Sequence, residues 1–76
     1  MYIILEIQEQ TEGCTPNTIT YTAETIDEAK SKYHYVLSYA SVSNLHRHGA
    51  IIMKTDGRYI DNESYLHVGG EENGTT

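Results

Sequence analysis

The chain has little of what small proteins commonly use to gain stability or to reach a membrane. Its one cysteine, Cys14, cannot form an internal disulfide, and there is no Cys-x-x-Cys pair to hold zinc. The amino-terminal apolar run "YIIL" stops at Glu6, far short of the ~20 residues that span a bilayer. It also lacks the basic start of a signal peptide. These features predict a soluble protein of the reducing cytoplasm.

Positive charge is also scarce. Five Lys and Arg residues stand against eleven Asp and Glu, which gives a net charge of −6. A domain that binds duplex nucleic acid usually carries a basic surface that displaces counterions from the phosphates. We therefore expect no binding to long nucleic acid. The acidic residues either only keep the protein soluble or form a surface that binds a basic partner.

The length of 76 residues allows one small domain. A domain of this size buries only ~60% of the surface of its unfolded chain, so burial against another subunit would add stability. We place the domain at residues 1–68. The polar tail at 69–76, "GGEENGTT", has no apolar residue to anchor it and is expected to be disordered.

Two segments before residue 24 have the pattern of strands. "YIILEIQ" (2–8) alternates, and we expect Ile3, Leu5 and Ile7 on its buried face, with Tyr2 and Ile4 on the other face. "TITYTA" (18–23) is rich in β-branched and aromatic residues and predicts a partner strand. Farther along, "TDG" predicts a tight turn between strands at about 48–54 and 58–67.

A helix is predicted between these two hairpins, from about 26 to 43. Thr25 and Glu28 have the spacing of a capping box, and Asp27 adds negative charge where the helix dipole favours it. At 100° per residue the buried stripe comprises Ile26, Ala29, Tyr33, Val36, Leu37 and Ala40. The order ββαββ predicts an α+β fold, with one helix packed on a four-stranded, mostly antiparallel sheet.

A second side of this helix carries Tyr35, Tyr39 and Val42, away from the buried stripe. They are either ordinary half-exposed side chains or a contact surface, and we expect the latter. Because the domain is small, a second copy is the simplest partner, and we expect a homo-oligomer, most simply a dimer. The helix side and the sheet face of Tyr2 and Ile4 are the two candidate surfaces for it. We favour the helix for contact with a partner.

Metal and catalytic sites are not expected. His46 and His48 are two residues apart, but tetrahedral zinc needs three or four ligands. Cys14 has no neighbouring histidine to activate it, the helix serines lack a nucleophile-elbow motif, and no glycine-rich phosphate loop opens a helix. We therefore expect a non-enzymatic protein without a cofactor. Among the histidines, His34 is the best placed for a specific polar contact.

Three segments give the chain a resemblance to a known group of proteins: "EAKSKYH" (28–34), "SYASVS" (38–43) and "HGAII" (48–52). Over about residues 1–67 the sequence resembles a family of short uncharacterised proteins of tailed phages and prophages of gut bacteria. It departs from the family pattern at "NLHRHG" (44–49), where the basic Arg47 stands.

The resemblance implies a binding protein in the cytoplasm of a bacterial host, often a counter-defence factor. Such a factor would sequester a small immune signalling nucleotide, with tyrosines stacking on bases. The phosphates of the nucleotide would be bound by hydrogen-bond donors from Lys32, His34, Arg47 and His48. Alternatives are an inhibitor of a host defence enzyme, acting through an acidic and tyrosine-rich surface, and a structural accessory protein.

Overall fold

A computed structural model describes residues 1–67 of the chain. The elements are β1 (Tyr2–Glu9), β2 (Asn17–Ala23), α1 (Ile26–Ala40), β3 (Arg47–Lys54) and β4 (Tyr59–Leu66). The strands form one antiparallel sheet in the order β2-β1-β3-β4, with α1 on one face. The predicted α+β fold is confirmed. The tail predicted to be disordered lies outside the described residues.

The local signals for the helix and for the second hairpin have their expected structural roles. Thr25 is the N-cap, and its hydroxyl accepts a hydrogen bond from the backbone N–H of Glu28 at 3.1 Å. In the β3–β4 turn, Gly57 has φ +93°, a conformation that strongly favours glycine. The helix ends at Ala40 rather than near 43, because Val42 and Ser43 form three-residue turns onto the last helical carbonyls.

The hydrophobic core lies between α1 and the two central strands. Its buried residues are Ile4, Ala29, Tyr33, Val36, Ala50 and Ile52. Ile26 and Leu37 are partly buried against this cluster, and Ala40 is buried. The whole predicted stripe of the helix therefore faces the sheet.

The predicted orientation of β1 is wrong. Ile4 and Glu6 are fully buried beneath the helix, whereas Ile3, Leu5 and Ile7 lie on the opposite face and are partly exposed. The strand is apolar in both phases, so alternation alone could not select the covered face. The covered phase is the one that places Glu6 among hydrogen-bond donors from three other elements.

Candidate functional site

The outward side of α1 and the turn that follows it present a small aromatic and apolar surface. Tyr35 is 60% exposed and Val42 is 81% exposed, while Tyr39 between them is only partly exposed. The rings of Tyr35 and Tyr39 meet edge to face with centroids 5.4 Å apart. We call Tyr35, Tyr39 and Val42 the helix patch. It combines two exposed side chains with one that is partly set into the protein.

Lys32 extends this surface toward β2. Its Nζ lies 4.2 Å from the ring centroid of Tyr21 and 4.9 Å from that of Tyr35, so the ammonium contacts two aromatic rings. A wide, shallow depression beside it is also lined by Asp27 and Glu28. Two carboxylates against one ammonium make this depression acidic. It therefore suits a cationic or hydrogen-bonding group of a partner better than a phosphate.

Beneath the patch, Tyr39 is held by a buried carboxylate. Glu6 is fully buried, and its Oε1 accepts hydrogen bonds from the hydroxyls of Tyr39 at 2.9 Å and Tyr21 at 3.0 Å. Its Oε2 accepts from Nε2 of Gln8 at 2.8 Å and pairs with Nε2 of His48 at 2.7 Å. Tyr39 is therefore anchored at its hydroxyl, and its ring has a fixed position under Tyr35.

The four partners decide the charge of this carboxyl. Burial by itself would raise the pKa of Glu6, but the hydrogen bonds from His48, Gln8, Tyr39 and Tyr21 outweigh burial and lower the pKa below its ordinary value. Burial and the hydrogen bond to Glu6 raise the pKa of Tyr39. Glu6 is thus an anion at neutral pH, and Tyr39 is a neutral donor to it.

His48 continues the network to the loop after the helix. Because Nε2 of His48 lies against the Glu6 carboxylate, it carries a proton, and Nδ1 lies 3.0 Å from the hydroxyl oxygen of Ser43. Serine, histidine and glutamate also occur in hydrolase triads, but there Nε2 faces the serine, whereas here Nδ1 does. The N–H groups of Val42 and Ser43 are already bonded to helix carbonyls, so they are not free for an oxyanion. The hydrogen bonds from Ser43 through His48 to Glu6 fit a structural role, because they connect the loop after α1 to β3 and β1.

The predicted phosphate donors lie in four different places. Lys32 contacts β2, whereas His34 is exposed at a groove beside β4 that Asp61 also lines. Arg47 lies on the sheet face opposite the helix and pairs with Glu9 at 3.5 Å, while His48 is buried on the helix face. The structure therefore does not bring these four side chains into one pocket of a single chain.

Sequence reasoning missed the residues at the centre of the network. Alternation along β1 places Glu6 on the same predicted outer face as Tyr2 and Ile4. No sequence pattern singles out Gln8, Tyr21 or Ser43, although they hold or position the side chains just described. The one signal available was an acidic residue inside the otherwise apolar segment "YIILEIQ". A charged residue in such a segment is rarely buried without partners, so it pointed to a network without naming its members.

Within residues 1–67, no cluster of three or more His, Cys, Asp or Glu side chains is placed to hold a metal ion. Over the same residues, no helix has the length and apolar character needed to cross a membrane. In comparisons with known proteins, the chain matches no family model, no curated sequence and no solved structure.

Proposed function

We propose that this chain is a non-enzymatic binding protein that holds another protein against its helix patch. The observation that carries the proposal is the edge-to-face pair of Tyr35 and Tyr39, in which Tyr35 is exposed and the ring of Tyr39 is fixed by the buried Glu6. Tyrosine is enriched among the residues that dominate protein interfaces. A ring that is already fixed loses little conformational entropy on binding, which favours affinity.

The charge of the chain supports a partner with a basic surface. The net charge is −6, and Asp27 and Glu28 lie in the depression next to Lys32 and Tyr35. Opposite charges across an interface speed association and are screened by salt. Together with the resemblance to short phage proteins, this favours a counter-defence role in the host cytoplasm, with a host defence enzyme as the partner.

Sequestration of a small signalling nucleotide is the second candidate. The position of the Lys32 ammonium between the rings of Tyr21 and Tyr35 favours it, since a cation beside aromatic rings is a common feature of nucleotide sites. The neighbouring Asp27 and Glu28 oppose it because they repel phosphate. We therefore rank a protein partner first.

Capture from lysate of a bacterial host tests the first candidate. The wild-type chain should retain a specific host protein, and binding of that purified protein, measured by calorimetry, should weaken roughly 10- to 30-fold in Tyr35→Ala, as expected when an interface tyrosine is removed. Tyr59→Ala is the matched control, because Tyr59 is also 60% exposed but lies at the far strand. Equal affinity of the Tyr35 variant and the wild type would remove the helix patch from the interface.

Native mass spectrometry tests the second candidate. The chain is purified from cells that produce a cyclic nucleotide signal, and its mass is compared with that of the chain from cells without the signal. For a protein-binding chain we expect identical masses. A bound nucleotide that disappears in Lys32→Ala would replace the first candidate with the second.

A further inference from the structure

The sheet face opposite α1 is apolar at its centre. Ile3, Leu5 and Ile7 of β1 lie beside Met53 and Ile51 of β3, which pair with Ile3 and Leu5 in the register. All five side chains are partly exposed, although residues of this kind are normally covered. Uncharged side chains border them: threonines of β2 on one side, and Asn62 and Ser64 of β4 on the other. We call this surface the open face.

The open face is also electrically neutral. Among the described residues, the charged side chains that the strand register places on it are Glu9 and Arg47, and these two pair with each other at 3.5 Å. The chain as a whole has a net charge of −6, so two copies repel each other through most of their surface. A neutral apolar face is the place where two such copies meet with the least repulsion.

We propose that the open face is the interface of a homodimer, in which the sheets of two copies stack and each helix patch points outward. Stacked sheets pack about 10 Å apart with their strands roughly aligned. The dimer then has two sheets inside and two helices outside. The same contact covers the five apolar side chains, which a domain of this size gains stability by burying.

The dimensions of the open face fit this interface. Four strands about 4.8 Å apart and seven or eight residues long give a plane of roughly 19 by 25 Å. Two such faces in contact remove about 1,000 Å² of surface, at the lower end of the range for specific interfaces. We therefore expect a dimer that dissociates on dilution in the micromolar range rather than an obligate one.

The surface relief of the face adds complementarity. A hollow of about 170 Å³ lies beside Gly49 of β3, lined mainly by uncharged residues of the face, with Arg47 and Glu63 at its border. This is several times the ~30 Å³ of one water molecule, enough for an aliphatic side chain. Twofold symmetry would place an apolar side chain of each copy in the hollow of the other.

Sedimentation velocity on the full chain, from low to several hundred micromolar, tests the proposal. We expect the wild type to shift from monomer to dimer over this range. Ile51→Lys, at the centre of the open face, should weaken the dimer roughly 100-fold or more, because it buries like charges against each other. Val42→Lys makes the same charge change at the 81% exposed position in the turn after α1 and should leave dimerisation unchanged.

A second open-face variant keeps the test valid if Ile51→Lys does not fold. Thr20→Lys lies at the exposed border of the face, where lysine leaves the monomer intact, and it should also weaken the dimer. If circular dichroism shows Ile51→Lys to be unfolded, Thr20→Lys decides. A wild type that stays monomeric throughout overturns the proposal, whether the face is then bare, covered by residues 68–76 or reserved for another protein. So does a folded open-face variant that dimerises normally, or loss of the dimer in Val42→Lys.

Discussion

Removal of the buried carboxylate should cost this domain most of its stability. Glu6→Ala leaves four donors without their acceptor, among them the nearly fully buried His48 and the hydroxyl of Tyr39. Each interior donor that loses its acceptor costs about 1 kcal/mol or more, so four such donors together cost about 4 kcal/mol. A domain of this size has only about 4–11 kcal/mol of stability in total. We therefore expect a loss of about 4 kcal/mol, and a partly unfolded variant at room temperature.

Urea denaturation followed by circular dichroism measures this loss. Glu9→Ala is the matched control, since it removes the same side chain from the same strand, but its ion pair with Arg47 is partly exposed to solvent and should contribute about 1 kcal/mol or less. A Glu6→Ala variant within 1 kcal/mol of the control would refute the view that the network holds the helix on the sheet.

Glu6→Gln separates shape from charge. The amide retains one oxygen for Tyr21 and Tyr39, but its nitrogen turns the facing Nε2 of His48 from a donor into an acceptor. Nitrogen-15 NMR of the imidazole should therefore report a proton on Nε2 in the wild type and on Nδ1 in the variant. An unchanged tautomer in a folded variant would contradict the assigned hydrogen bond.

Four further predictions follow from burial and charge. Leu37→Asp places an unpaired carboxylate against the core and should cost about 3 kcal/mol in urea denaturation; a loss below 1 kcal/mol would mean that Leu37 does not pack there. Gly49→Ala should cost about 1–3 kcal/mol, because its Cβ would lie 2.6 Å from that of Ser64, and unchanged stability would refute this close approach of β3 and β4. Burial raises the pKa of Tyr33 to about 12, whereas the phenol of the unfolded chain ionises near 10. The stability from this tyrosine should therefore be full below pH 10 and fall by about 2 kcal/mol as the pH rises to 12. Denaturation midpoints measured across this pH range check the prediction, and a flat profile contradicts it. The lowered pKa of Glu6 contributes stability above its ordinary value of 4.5 that is lost as the pH falls below it, and this acid loss should be smaller in Glu6→Gln; parallel acid profiles would show that another group is responsible.

The fold was predictable where local chemistry decides it. Thr25 and Glu28 marked the start of the helix, and the glycine of "TDG" marked the second hairpin. The covered face of β1 was not predictable, because its selection depends on contacts made far along the chain. Glu6 meets Tyr39 and His48, which are 33 and 42 residues away, and these partners are brought together only after helix and sheet have packed.

The candidate site was predictable in part for the same reason. Helical periodicity identified Tyr35 and Val42 as lying away from the core, and both are exposed. It could not show that Tyr39, on the same side, sends its hydroxyl inward to a buried carboxylate. Arg47 and His48 lie on opposite faces because side chains alternate along β3. The predicted strand began at residue 48, one residue late, so this alternation was not applied to Arg47.

Site-specific photocrosslinking in bacterial cells tests the central claim most directly. A photoreactive phenylalanine derivative replaces either Tyr35 or Tyr59, two tyrosines of equal exposure on the helix patch and at the border of the open face. We expect the probe at position 35 to yield an adduct with a host protein, and the probe at position 59 to yield a covalent dimer of the chain. A probe at position 35 that joins only a second copy of the chain, or nothing at all, would contradict the proposed binding role of the helix patch.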